Sequence, residues 1–156
     1  MAVRGSVKAR VELREVITQL ELTAPEKLKK DLLAGTREAS KGIKPDVQRE
    51  LVAKLPKRHG YGALVAKSTK VLSRVTGGAK IRAAISVTAS GKREKRDLPA
   101  LNRGLLKHML FGNRRHWYVQ RVRPGAVDDP IDRYRDRVVD NARKAANEYA
   151  DTIARG

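Results

Sequence analysis

A chain of 156 residues is long enough for one domain with a sizeable core, and 40% hydrophobic content argues against disorder. Aromatics make up only 4% and cysteine is absent, so the expected core is Val, Leu, Ile and Ala, without disulfides or thiolate metal sites. The formal net charge of +18 calls for a polyanion or an acidic protein face as partner. No apolar run approaches the roughly 20 residues of a membrane span. The opening MAVRGSVKAR lacks the apolar stretch of a secretory signal. The expectation is a soluble chain used in the cytosol, or in something assembled there, with no membrane partner.

The charge is concentrated. Residues 1–56 hold 12 Lys and Arg against 8 Asp and Glu, and residues 124–156 hold 6 against 7. Residues 57–123 hold 17 against 2, which places a net +15 in the middle of the chain.

In chain order, Val7, Ala9, Val11 and Leu13 alternate with charged residues, and this period of two predicts a half-buried strand over 7–14. Thr23, Pro25 and Glu26 have the spacing of a helix N-terminus. Leu28, Leu32, Leu33, Ala39 and Ile43 then recur at helical spacing, continued by Val47, Leu51 and Leu55. This predicts one long helix over 24–55, kinked near Pro45 because proline cannot donate to the preceding turn.

Lys57 to Gly62 reads as a loop; it lacks the spacing of a phosphate-binding loop, and His59 has no second metal ligand beside it. Val71, Ser73 and Val75, then Ile81, Ala83, Ile85 and Val87, alternate on either side of Gly77-Gly78, predicting a β-hairpin over 70–88. Residues 89–98 read as a basic loop carrying Lys92, Arg93, Lys95 and Arg96, either solvated or reaching towards a neighbour. Residues 99–107 read as a short helix.

The segment His108–Pro130 holds the only Phe and the only Trp, Phe111 and Trp117, among Arg114, Arg115, Arg121 and Arg123. Gly112, Pro124, Gly125 and Pro130 punctuate it, as in a docking segment, and a core strand with solvated arginines is the competing reading. A strand over 115–123 puts Trp117, Val119 and Arg121 on one face, with Trp117 and Val119 expected to cap the core of the sheet. A closing helix over 130–154 follows from the rhythm of Ile131, Tyr134, Val138, Ala142, Ala145, Tyr149 and Ile153. The sum is a single α+β domain over 1–156, with a small, mostly antiparallel sheet of about four strands and the C-terminal helix packed on one face.

Catalytic chemistry is not expected. His59, His108 and His116 lie in the acid-poor middle block, where only Glu94 and Asp97 could orient them. Asp132, Asp136 and Asp140 share a helical face, but Arg133, Arg135, Arg137 and Arg143 surround them, so ion pairing is expected rather than a metal. No cofactor is implied.

One resemblance emerges from Leu101-x-x-Gly104-Leu105-Leu106-x-His108, Phe111-Gly112-Asn113-Arg114, Trp117, Gln120, Val122-Arg123-Pro124-Gly125 and the helix after Pro130. Together with the order of elements, these residues resemble the tail-component, or neck, proteins of long-tailed bacteriophages, most closely those of phages and prophages of actinobacteria. Where relatives carry a bulky aromatic after the Pro-Gly, this chain has Ala126 and Val127. The resemblance implies a non-enzymatic virion subunit of the head-to-tail connection, assembled in the host cytoplasm. It would form a homo-oligomeric ring, expected to be hexameric, between a portal-side connector and tail-terminator or tail-tube proteins. A tail terminator is the near variant.

A ring of six copies would carry about a hundred positive charges, which acidic neighbours or DNA in the channel must neutralise. Lys92, Arg93, Lys95, Arg96, Arg114, Arg115, Arg121 and Arg123 are expected to face that partner, with Phe111 and Trp117 as docking or core anchors. The alternative is a stand-alone nucleic-acid-binding protein that uses the 57–123 block, with Tyr61, Trp117 and Tyr118 for stacking.

Overall fold

The computed structural model describes residues 6–11, 26–57, 60–76, 82–110 and 113–155, and the chain is α+β. Among the described residues the order is β1 (Ser6–Val11), α1 (Glu26–Ser40), α2 (Ile43–Lys54), α3 (Tyr61–Ser68), β2 (Thr69–Thr76), β3 (Arg82–Ala89), α4 (Lys92–Asn102), β4 (Leu105–Leu110), β5 (Asn113–Arg121) and α5 (Asp128–Arg155). The one sheet of about four strands expected from the pattern is instead two. One has strand order β1-β3-β2 and the other is the β4-β5 pair. Contacts divide the chain into two compact units. One holds the described residues of 1–7, 43–71 and 87–132, the other those of 8–42, 72–86 and 133–156.

In the second unit, α1 buries Leu28, Leu32 and Ala39 of the stripe read from its periodicity, with Thr36 beside them, while Leu33 is only half-buried. The buried Thr36 hydroxyl donates to the Leu32 carbonyl at 2.7 Å, so no polar atom is stranded there. Ser40 meets Ser73 of β2 through their hydroxyls at 3.2 Å. From α5, Asn141 Nδ2 donates to the Gly35 carbonyl of α1 at 3.4 Å. Val138, Ala142, Ala145 and Ala146 are buried along α5, and Ala83 and Ile85 along β3. Thr23 and Pro25, the expected helix start, lie outside the described residues, as do residues 12–14 of the first predicted strand and the Gly77-Gly78 turn.

The long helix is interrupted at Lys41–Gly42, where the Lys41 amide turns back to the Glu38 carbonyl at 3.3 Å. The break precedes Pro45 rather than falling on it. A proline ring clashes with the carbonyl four residues earlier, here Lys41, whereas within the first turn of a new helix its missing N–H is no loss.

In the first unit, α2 buries Ile43 and Val47 completely, Leu51 likewise, and Leu55 follows just past its end. Each such side chain contributes roughly 1.5–3 kcal/mol on burial. The α2 helix packs on α3, and Gln48 Nε2 donates to the Ala66 carbonyl at 2.9 Å. Tyr61 and Gly62, read as loop, open α3 because Gly60 adopts a left-handed conformation (φ 64°) and Val65 and Ala66 bury behind it. β2 and β3, most of whose residues belong to the second unit, are hydrogen-bonded neighbours joined by residues 77–81, a link short enough only for an antiparallel pair. The Ser90 amide closes their open end on the Ser68 carbonyl at 2.9 Å.

The predicted basic loop over 89–98 is wrong. Lys92–Asn102 is helix α4, begun by the Lys95 amide on the Gly91 carbonyl at 2.9 Å. Leu98 and Leu101 are buried, while Lys92, Arg93, Lys95 and Arg96 form its exposed side. Pro99 is inside this helix rather than at its start. The predicted short helix over 99–107 is also wrong beyond Asn102. Gly104 turns left-handed (φ 82°) and Leu105 starts β4, which packs against α4.

Candidate docking surface

β4 and β5 form an antiparallel ribbon that pairs Leu105 with Arg121, Leu106 with Gln120, Lys107 with Val119, His108 with Tyr118 and Met109 with Trp117. The register shifts between Met109 and Leu110. Strand alternation sorts the side chains into two faces. One carries Arg115, Trp117, Val119 and Arg121 with Leu105, Lys107 and Met109. The other carries His116, Tyr118 and Gln120 with Leu106 and His108, and there the His108 and Tyr118 rings stack with centroids 6.4 Å apart.

Every residue from Arg115 to Arg121 is exposed, on both faces. Trp117 is 51% exposed, Tyr118 55% and Val119 53%. This corrects the expectation that Trp117 and Val119 cap a core, because among the described residues no third strand joins β4 and β5. On the β4 side Leu106 is buried, so the ribbon is anchored through β4 and presents β5 outward. Phe111, the second expected anchor, and the side chain of Arg114 lie outside the described residues.

Sequence reasoning missed the residue that fixes the base of the ribbon. Asn102, 8% exposed at the end of α4, accepts the amides of Val127 and Asp128 on Oδ1 at 2.9 and 3.1 Å. Its Nδ2 donates to the Asp128 carboxylate at 2.8 Å, and its carbonyl accepts the Gly125 amide at 2.8 Å. Asn102 thus caps the start of α5 from 25 residues upstream, where the free amides of a helix need acceptors. Two residues on, the Gly104 carbonyl accepts the Val122 amide at 2.9 Å. Ala126 and Val127, which follow Gly125, are buried.

Beside this base lies an open groove of about 540 Å³, lined by Lys54, Leu55, Pro56 and the run from Gln120 to Pro124. Lys54 is engaged there, donating to the Pro124 carbonyl at 2.9 Å and pairing with Asp129 and Glu50. Arg121 and Arg123 are exposed at its rim.

The α4 cations are drawn partly inward. Tyr61 donates its hydroxyl to Asp97 at 2.8 Å, Arg93 lies over the Tyr61 ring at 4.8 Å, and Arg96 Nε meets Asp97 at 3.0 Å. Arg93 and Arg96 therefore also serve packing, while Lys92 and Lys95 are exposed on the same helix. Burial first, then the hydrogen bond and negative charge of Asp97, push the Tyr61 phenol well above its ordinary value. A raised phenol contributes stability below its unfolded value near pH 10 and loses it as pH climbs through the folded value. Wild type is expected to exceed Tyr61→Phe by about 0.5–1.5 kcal/mol at pH 8, a gap that shrinks above pH 10. Paired denaturant titrations at the two pH values check this, and a constant gap would rule out the hydrogen bond as its source.

Among the described residues no group of three or more His, Asp or Glu side chains is placed to hold a metal ion, and no helix is long and apolar enough to cross a membrane. Comparison of the chain with protein-family models, with curated proteins and with solved structures returned no match.

Proposed function

We propose that this chain is a structural, non-enzymatic virion subunit of the head-to-tail connection of a long-tailed bacteriophage. It assembles in the host cytoplasm into a ring, of six copies on the resemblance, between a portal-side connector and the tail, and the tail-terminator position is the near variant. The observation that carries this reading is the β4–β5 ribbon. It exposes Trp117, Tyr118 and Val119 beside Arg115 and Arg121, and a ribbon that no third strand joins among the described residues is marginal alone in water. Aromatic and Arg side chains are the usual energetic centres of protein interfaces. Of the residues on which the resemblance rests, Leu101 falls at the end of α4, Gly104 in the left-handed turn after it, and Leu105, Leu106 and His108 in β4.

Reversing Arg121 and Arg123 to Glu tests it. Both are exposed, so the monomer should fold, while tail attachment in an infected host should fail. Full-titre phage from that variant would refute the proposal. A stand-alone nucleic-acid-binding role draws on the same cations and on exposed Trp117 and Tyr118. Tight duplex binding by the lone chain, falling steeply with salt, would favour it.

A further inference from the structure

We infer that the Arg115–Trp117–Val119–Arg121 face of the ribbon docks on another protein whose surface offers an apolar patch flanked by carboxylates, rather than on nucleic acid. The inference deepens the reading of the ribbon as a docking element and names what that element takes.

Three observations carry it. First, the face is apolar at its centre and cationic at its ends. Trp117 and Val119 lie between Arg115 and Arg121, with Met109 across from Trp117 and Lys107 across from Val119. That is the anatomy of a protein interface, an aromatic anchor ringed by arginines; Val119 and Met109 offer nothing to a phosphate. Second, the charge has one sign. From Leu98 to Val127 the chain has six Lys or Arg and no carboxylate, so the complementary surface is acidic. A second copy would bring a further +18 and is the less complementary occupant. Third, the cations on this face are too few to hold DNA at physiological salt. Lys107, Arg115 and Arg121 engaging three phosphates would give a log–log salt slope of only about −2.7. Arg115 and Arg121 are six residues apart on β5, or about 20 Å, which sets the spacing of the carboxylates on the partner.

Trp117 is the only tryptophan, so its emission reports on this face alone. The full chain is titrated with the peptide Glu-Glu-Leu-Val-Leu-Glu-Glu, with Glu-Glu-Ser-Ser-Ser-Glu-Glu at equal charge, and with a 20-base-pair DNA duplex, across a salt series. The expected result is a blue shift of Trp117 with the Leu-containing peptide and at least fivefold tighter binding than the Ser peptide. That ratio should fall to near one in Trp117→Ala, followed by calorimetry, and both affinities should drop at least fivefold in R115E/R121E. Equal affinity for the two peptides would overturn the inference, since the apolar centre would then contribute nothing. Duplex binding tighter than the Leu-containing peptide, with a slope steeper than about −3, would overturn it in favour of nucleic acid. Either outcome is read on the free chain and leaves the tail-attachment experiment to stand or fall separately.

Discussion

Asn102→Ala is expected to cost about 2–4 kcal/mol and to lower the melting temperature by roughly 5–15 °C. The substitution removes three side-chain hydrogen bonds at once, from Val127 N, from Asp128 N and to the Asp128 carboxylate. The Val127 amide is buried, so it loses its acceptor without water to replace it, and this unsatisfied donor is the larger part of the cost. Asn102→Asp separates capping from fit. It keeps an acceptor for the two amides but sets a carboxylate against Asp128 where an amide now donates. It should therefore be destabilised near neutral pH and recover as pH falls and the shared site takes up a proton. Thermal melts of the three proteins at pH 7 and pH 4 check this. A melting temperature for Asn102→Ala within 2 °C of wild type would show that Asn102 does not hold the start of α5.

Why this asparagine escaped the sequence while so much around it did not has a physical answer. The buried stripe Leu28, Leu32, Ala39 is visible because a helix repeats its core face every three or four residues, and the buried set Ala83, Ile85, Val87 because a strand repeats it every two. The role of Asn102 depends on meeting residues 127 and 128, and no local period encodes that. The part of α4 before Pro99 escapes for a different reason. Its helical set of Leu98, Leu101 and the tethered Asp97 was present, but Lys92, Arg93, Lys95 and Arg96 between Gly91 and Pro99 looked like a solvated linker. Pro99 lies in the helix without ending it, and the true stop is Gly104. The Leu105-Leu106 pair, read as the tail of that helix, belongs to β4 beyond the glycine. Trp117 fails in the opposite sense. Hydrophobicity assigns it to a core, but whether a strand face is covered depends on what packs over it, and β5 stands at the edge of a two-stranded sheet. The residues of the proposed docking face were thus legible as a composition, Arg and Trp without acid, and illegible as a surface until the ribbon placed them.

Gly104→Ala should lose about 2–4 kcal/mol, while Gly60→Ala, with a similar backbone, should lose no more than about 1.6 kcal/mol. Both glycines are left-handed, at φ 82° and φ 64°, so both alanines carry the strain of that conformation, about 1–2 kcal/mol. Both also reduce the freedom of the unfolded chain, which returns about 0.4–1 kcal/mol. The difference lies in the surroundings. A Cβ on Gly60 would meet no described atom within 4 Å, whereas one on Gly104 would stand 2.7 Å from the Val122 carbonyl oxygen and 3.3 Å from Pro124. The obstacle is backbone, so it cannot rotate aside, and relief requires parting the strands where the Val122 amide bonds to the Gly104 carbonyl. That bond fixes where Arg121 leaves the ribbon and Arg123 enters the rim of the groove. Gly104→Ala should therefore weaken capture of the acidic, Leu-containing peptide as well as stability, and Gly60→Ala should leave capture unchanged. Equal melting temperatures for the two alanine variants would mean that strain alone governs both positions and that the base of the ribbon yields without cost.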